Sequence, residues 1–262
     1  MPDRLLAETP FIRRARRMNR KVRLFCFPHA GAGASAFAAW PDLFPPEVEI
    51  VAVQLPGRED RVGEAHPASV DIAVRMVAVA LRPYLQGPYA FFGHSGGALL
   101  AFELARALRK RGTQPGHLFL SGQPAPGHDI AAPELHRLSD EDFSAALRGL
   151  DGTSDGVFAD PGLMKLLLPT LRADFTLWES HRHRPDQPLA VPITALGGDT
   201  DPRAPVDGLQ AWRQETTGAF SAEVFPGGHF YLNDSGAELA AVLAGTLLGQ
   251  ESTYAGQGER TR

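Results

Sequence analysis

Cysteine is nearly absent from this chain. A single residue, Cys26, stands among 262, so no internal disulfide can form and nothing points to an oxidising compartment. Its place inside Val22-Arg23-Leu24-Phe25-Cys26-Phe27 reads as a small core residue rather than a nucleophile. Long apolar runs are missing as well. None approaches the roughly 18 residues a membrane span needs, and the charged N-terminus is followed by no apolar stretch of the secretory kind. An excess of positive charge is also lacking. Lys and Arg number 26 against 30 Asp and Glu, a formal net charge of −4, which argues against nucleic acid as the main partner. No internal repeat is found. Together these absences point to a cytoplasmic protein whose partners include neither membrane nor nucleic acid.

What is present is a 44% hydrophobic share, enough for the core of one large domain. Strand patterns fall at 22–27, 48–53, 88–93, 117–121, 191–197 and 220–225, and helical patterns near 69–85, 97–111, 206–217 and 235–248. Strands alternating with helices predict an α/β fold with a mostly parallel, doubly wound sheet. Several strands are apolar at consecutive positions, as strands buried on both faces are. Residues 1–20 read as a flexible basic arm holding Arg13, Arg14, Arg16, Arg17 and Arg20, either solvated or docking an acidic partner. Residues 21–248 then form one domain, and 249–262 a disordered tail.

The alternation breaks once. Nearly 70 residues separate the strand ending near Ser121 from the one starting at Val191, far more than an ordinary crossover. Within this insertion, at about 128–185, Ser139 with Asp142 reads as a helix start, and Phe143, Leu147 and Leu150 share one face. Asp160-Pro161 starts a second helix, with Leu163, Leu166, Leu167, Leu171, Phe175 and Trp178 at helical spacing. Pro169 should kink or split it. The insertion reads as a helical lid over the carboxyl ends of the strands.

The run Tyr89-Ala90-Phe91-Phe92-Gly93-His94-Ser95-Gly96-Gly97-Ala98-Leu99-Leu100 carries the chemistry. A strand passes through Gly-x-Ser-x-Gly directly into a helix, and such a sharp turn presents the Ser95 hydroxyl beside the first helical amides. A serine needs a base, and the base needs an orienting acid. His229, in the Gly-rich turn Phe225-Pro226-Gly227-Gly228-His229-Phe230 after the last strand, is the candidate base. His94 adjoins the nucleophile but should point elsewhere, and His181 and His183 read as solvated. The acid should follow a strand end upstream of His229. Gly197-Gly198-Asp199-Thr200-Asp201-Pro202 offers two aspartates. Asp201 is preferred, and Asp199 is expected to bond its own turn amides. Ser121-Gly122-Gln123-Pro124, the alternative acid position, holds no carboxylate. Ser95…Asp201…His229 is the order of the α/β-hydrolase fold. The oxyanion donors are expected to be the amides of Gly96 and of Ala30, the latter in the small-residue loop after the first predicted strand.

Four segments resemble the external, type II thioesterases that accompany polyketide synthases and nonribosomal peptide synthetases. They are Phe25-Cys26-Phe27-Pro28-His29-Ala30-Gly31, Gln54-Leu55-Pro56-Gly57-Arg58-Glu59, Gly93-His94-Ser95-Gly96-Gly97, and Leu167-Leu168-Pro169-Thr170-Leu171-Arg172-Ala173-Asp174-Phe175. The resemblance covers roughly residues 20–248. It implies hydrolysis of acyl groups from the phosphopantetheine thiol of acyl or peptidyl carrier proteins, with no metal or other cofactor of the enzyme's own. Small acyl thioesters are further substrates it implies. Substrate contact is expected from His29, Gln54, Phe143, Leu167, Phe175 and Phe230. Arg58 is expected either to meet a carrier or phosphate charge or to form a surface ion pair. The family often has Met after the nucleophile, where this chain has Gly96. A small-molecule esterase or acyltransferase of the same fold, and a catalytically silent binding partner, are the other readings.

Overall fold

The computed structural model describes residues 4–128, 134–150 and 160–249. An eight-stranded sheet runs in the order β1-β2-β4-β3-β5-β6-β7-β8. Its strands are β1 (Leu6–Thr9), β2 (Ile12–Arg14), β3 (Val22–Phe27), β4 (Val48–Val53), β5 (Tyr89–His94), β6 (Leu118–Ser121), β7 (Ile193–Gly198) and β8 (Phe220–Phe225). From β4 to β8 all neighbours are parallel. The strands β3 to β7 are buried at every position, which is why they read as mostly apolar, with Arg23 and Glu49 among the few polar exceptions. The edge strand β8 is mostly exposed.

The longer helices are α1 (Val70–Leu81), α2 (Gly96–Arg109), α3 (Asp140–Arg148), α4 (Pro161–Glu179) and α5 (Gly236–Gly249). One face of the sheet packs with α1 and α2 through Val77, Leu81, Leu100 and Leu104, the other with α5 and with Phe37 and Trp40. Chain order steps from β3 to β4 on one side, then returns to place β5 on the other. The carboxyl ends of β3 and β5 are therefore a switch point, where open α/β sheets hold their ligands.

Residues 6–14 depart from the expected flexible arm. They form an antiparallel extension of the sheet, with Ile12 opposite Val53 and Arg14 opposite Val51. The arginines find their acidic partners within the chain. Arg14 binds Glu8 twice (2.6 and 2.8 Å), Arg13 reaches Asp60, and Arg14, Arg20 and Arg23 converge on the buried Glu49. Arg17 is buried and donates to the carbonyls of Phe44 (3.0 Å), Val48 (2.9 Å), Pro41 and Pro45. A cluster expected to be either solvated or docked on an outside partner is largely a brace for the sheet edge, although Arg16 and Arg20 stay exposed while pairing with Glu8 and Glu49.

The insertion after β6 supplies α3 and α4, which share a small core of their own built on Leu135, Phe143, Leu147, Leu171 and Phe175. Ser139 caps α3 by accepting from the Asp142 amide, and Asp160 caps α4 ahead of Pro161. Pro169 does not split α4, which is assigned as one helix. Both Pro169 and Lys165, whose carbonyl the proline leaves without its helical donor, are exposed, so water can take that bond. Parts of the insertion lie outside the described residues, as does the expected tail at 249–262 apart from Gly249, which ends α5. Among the described residues no helix is long and apolar enough to cross a membrane.

Candidate active site

Ser95 sits between β5 and α2 with φ 55° and ψ −124°, a left-handed φ that costs a non-glycine residue energy and persists only when its surroundings enforce it. The flanking glycines show the enforcement. A side chain at Gly93 would overlap the carbonyl of Gly97, and one at Gly97 the carbonyl of Phe27. The Ser95 amide is tied to the carbonyl of Ser121 at 2.7 Å.

Asp201 and His229 arrive on neighbouring loops, after β7 and β8. Nδ1 of His229 donates to Oδ2 of Asp201 at 2.8 Å, and both side chains are almost fully enclosed. Asp201 also accepts the Arg203 amide at 2.8 Å, which fixes the carboxylate plane. Asp199 does not bond its own turn as expected. It accepts the amide of Gly227 at 2.9 Å, while Thr200 N–H donates to the Gly227 carbonyl at 3.0 Å. Asp199 thus clamps the loop of the candidate base, and Asp201 holds the orientation of its ring.

Two small cavities meet at Ser95. One is apolar and lined by His29, Leu147, Leu150, Leu171, His229 and Phe230; the other is polar and lined by Gly96, Gly122, Gln123, Trp178, Glu179 and Arg203. Ala30 and Phe175 line both. The volumes are about 30 and 50 Å³, against the ~300–1,000 Å³ of an ordinary ligand pocket. The lid lies closed.

The aromatic wall around the base is a set of histidines held neutral. The rings of His29 and Phe230 are 4.7 Å apart, and those of His94 and His229 5.1 Å. Enclosure holds the His29 imidazole down to about 4, with the charges of His229 and Arg58 adding to the effect. Burial, and then charge on His229 and His29, holds His94 well below its ordinary range. His94 does point away from the hydroxyl, as expected: its Nδ1 meets Ser121 Oγ at 2.9 Å, which meets Tyr231 OH at 2.8 Å.

Of the residues expected to touch substrate, His29, Phe175 and Phe230 line the cavities. The others stand behind them. Gln54 is completely buried, its Oε1 accepting the Ala34 amide at 2.6 Å, and it shapes the loop after β3 from beneath. Phe143 is completely buried behind Phe175, the rings edge to face at 5.5 Å. Leu167 packs on the lid's core. His181 and His183 are not solvated; both are largely enclosed beside Glu103.

Arg58 is neither a surface residue nor a free cation. It forms a fully buried bidentate pair with Asp174 of α4 (2.7 and 2.8 Å), and the same carboxylate accepts the amide of Gly31 at 2.7 Å. The lid is thereby bonded to the loop that carries Ala30. Asp174 was legible as an oddity, since it falls on the apolar stripe of Leu167, Leu171, Phe175 and Trp178. Removing one partner of a buried pair leaves an uncompensated charge. Asp174→Ala is expected to lower unfolding free energy by about 3–5 kcal/mol, read by urea denaturation. A loss below about 1 kcal/mol would show that solvent reaches the pair.

The thioesterase-domain family model matches residues 22–245. The gramicidin S biosynthesis protein GrsT of Aneurinibacillus migulanus is 46% identical over 228 residues, covering 87% of this chain and 89% of that protein. Thioesterase PikA5 of Streptomyces venezuelae is 43% identical, covering 88% and 82%. Among solved structures, the type II thioesterase BorB from the borrelidin biosynthetic cluster superposes with a TM-score of 0.85 at 38% identity, over 92% of this chain and 99% of that one. A serine elbow, a lid and relatives this similar along nearly their whole length lead to one assignment: the chain belongs to the thioesterase family, as a thioester hydrolase of the type II class found with polyketide and nonribosomal peptide synthesis.

Proposed function

We propose that the chain hydrolyses acyl groups from the phosphopantetheine thiol of acyl or peptidyl carrier proteins, releasing stalled or wrongly primed intermediates. One observation carries the reading: a buried His229–Asp201 pair opens onto the same lid-covered cavity as the strained Ser95. His229 takes the Ser95 proton as the hydroxyl oxygen attacks the thioester carbonyl. Asp201 holds the imidazole tautomer and stabilises its charged form. The amides of Gly96 and Ala30 receive the oxyanion. The carbon–sulfur bond then breaks, His229 returns the proton to the departing thiol, and an acyl-Ser95 ester remains. Water deprotonated by His229 attacks that ester, the acid leaves, and Ser95 regains its proton. These steps draw on side chains and backbone amides alone; phosphopantetheine enters as part of the substrate.

The test is one acyl chain presented on a phosphopantetheinylated carrier protein and on free coenzyme A. The expected kcat/KM is at least about tenfold higher on the carrier, the equivalent of ~1.4 kcal/mol of contacts beyond the thiol arm. Equal values on the two would remove carrier recognition from the reading. Failure of a fluorophosphonate to label Ser95 would remove the catalytic role.

A further inference from the structure

The chain has glycine directly after its nucleophile, and Trp178 of α4 occupies the space a side chain would take. A Cβ built at Gly96 would lie at nearly the same short distance from Nε1, Cδ1 and Cε2 of Trp178. That geometry puts the face of the indole's five-membered ring on Gly96, so the N–H lies in a plane across the elbow rather than pointing down into it. This N–H is buried and has no hydrogen-bond partner. A buried donor left unpaired costs about 1–3 kcal/mol, and such groups in native structures call for an explanation.

Glu179, the carboxylate lining the same cavity, is already engaged. Glu179 accepts from His136 through Oε2 (2.8 Å) and from Arg203 through Oε1 (3.3 Å). Nothing in the polar cavity is bonded to Trp178, so a substrate atom can supply the missing acceptor.

The proposed chemistry says which part of the substrate that is. His229 returns a proton to the departing sulfur, so the thiol side lies in the apolar branch that His229 lines. The acyl side takes the branch lined by Gly96 and Trp178. With the carbonyl oxygen on the Gly96 amide, an indole stacked on that residue lies beside the first carbons of an acyl chain in this branch. We propose that Trp178 is a specificity-determining residue: its N–H donates to an oxygen on the third carbon of the acyl chain, so 3-hydroxy- and 3-oxoacyl groups are hydrolysed in preference to saturated ones. This inference rests on the reading of an acyl thioester attacked by Ser95.

N-acetylcysteamine thioesters of butyrate and 3-hydroxybutyrate, which differ by one hydroxyl, give the test. The wild-type enzyme is expected to favour the hydroxylated ester in kcat/KM by about three- to tenfold, the range of one neutral hydrogen bond. In Trp178→Phe the ratio is expected to fall to about one. A wild type that does not discriminate, or a variant that keeps the preference, overturns the proposal. So does an equal fall on both esters with the ratio unchanged, the mark of a purely structural tryptophan. Ser95→Ala and Ser95→Ala/Trp178→Phe provide the same comparison as a ratio of dissociation constants, by calorimetry. The proposal is thereby decided even if neither ester turns over, an outcome that would count against the proposed function instead.

Discussion

Ser95→Ala is expected to lower kcat on an acyl-carrier thioester by about six orders of magnitude, the loss typical of removing a triad nucleophile. The substitution deletes the oxygen proposed to form the acyl ester and leaves the rest of the site in place. Alanine is no larger than serine, so the close packing of Gly93 against Gly97 and of Gly97 against Phe27 is undisturbed. The residual rate should be that of the oxyanion donors and binding alone, roughly 10³–10⁴ above water. Single-turnover kinetics with mass detection of the acyl-enzyme measure both the rate and the intermediate. A variant that loses less than about a hundredfold, or still gains the mass of an acyl group at the active site, would exclude Ser95 as nucleophile.

Asp201→Asn is expected to cost about 10⁴ in kcat. Asparagine matches the carboxylate in shape, but its amide group can present a donor to Nδ1 of His229. The favoured imidazole tautomer then carries its proton on Nε2, the nitrogen proposed to serve Ser95, and cannot accept the hydroxyl proton. Asp199→Asn is the informative companion. Asp199 braces the His229 loop through the Gly227 amide without touching the ring, and an asparagine oxygen can still accept that bond. Its loss should therefore be far smaller, and comparable losses at both positions would mean that loop placement, rather than the tautomer, is what the pair of aspartates controls.

The central parallel strands were legible because burial on both faces leaves mostly apolar residues, and β3 and β4 begin and end where the pattern predicts, as does the exposed edge strand β8. The elbow was legible for a related reason: only glycines tolerate such close backbone approach. The edge extension was not. β2 has three residues, two of them arginine, and so short a strand shows no alternation while its charges resemble a solvated arm. Arg58 and Asp174 lie 116 positions apart, and no local pattern links a loop arginine to a helix aspartate. Gln54 was misplaced because a polar residue in a Gly/Pro-rich loop suggests exposure, whereas its amide serves the backbone of the neighbouring loop. Trp178 was read only as part of an apolar stripe, since a helical period reveals the face of a side chain and not the state of its N–H.

The bond from the lid carboxylate to the Gly31 amide has a thermodynamic consequence for every substrate. Raising α4 would withdraw Asp174 from both Arg58 and Gly31, so any unlatched form is disfavoured by the loss of these bonds. An arriving thioester competes for that form, and its apparent dissociation constant is its intrinsic one divided by the fraction unlatched. Apparent affinity in such an enzyme is set in part before any bond to the acyl group is made, by the equilibrium of an empty door, and the same factor falls on every substrate alike.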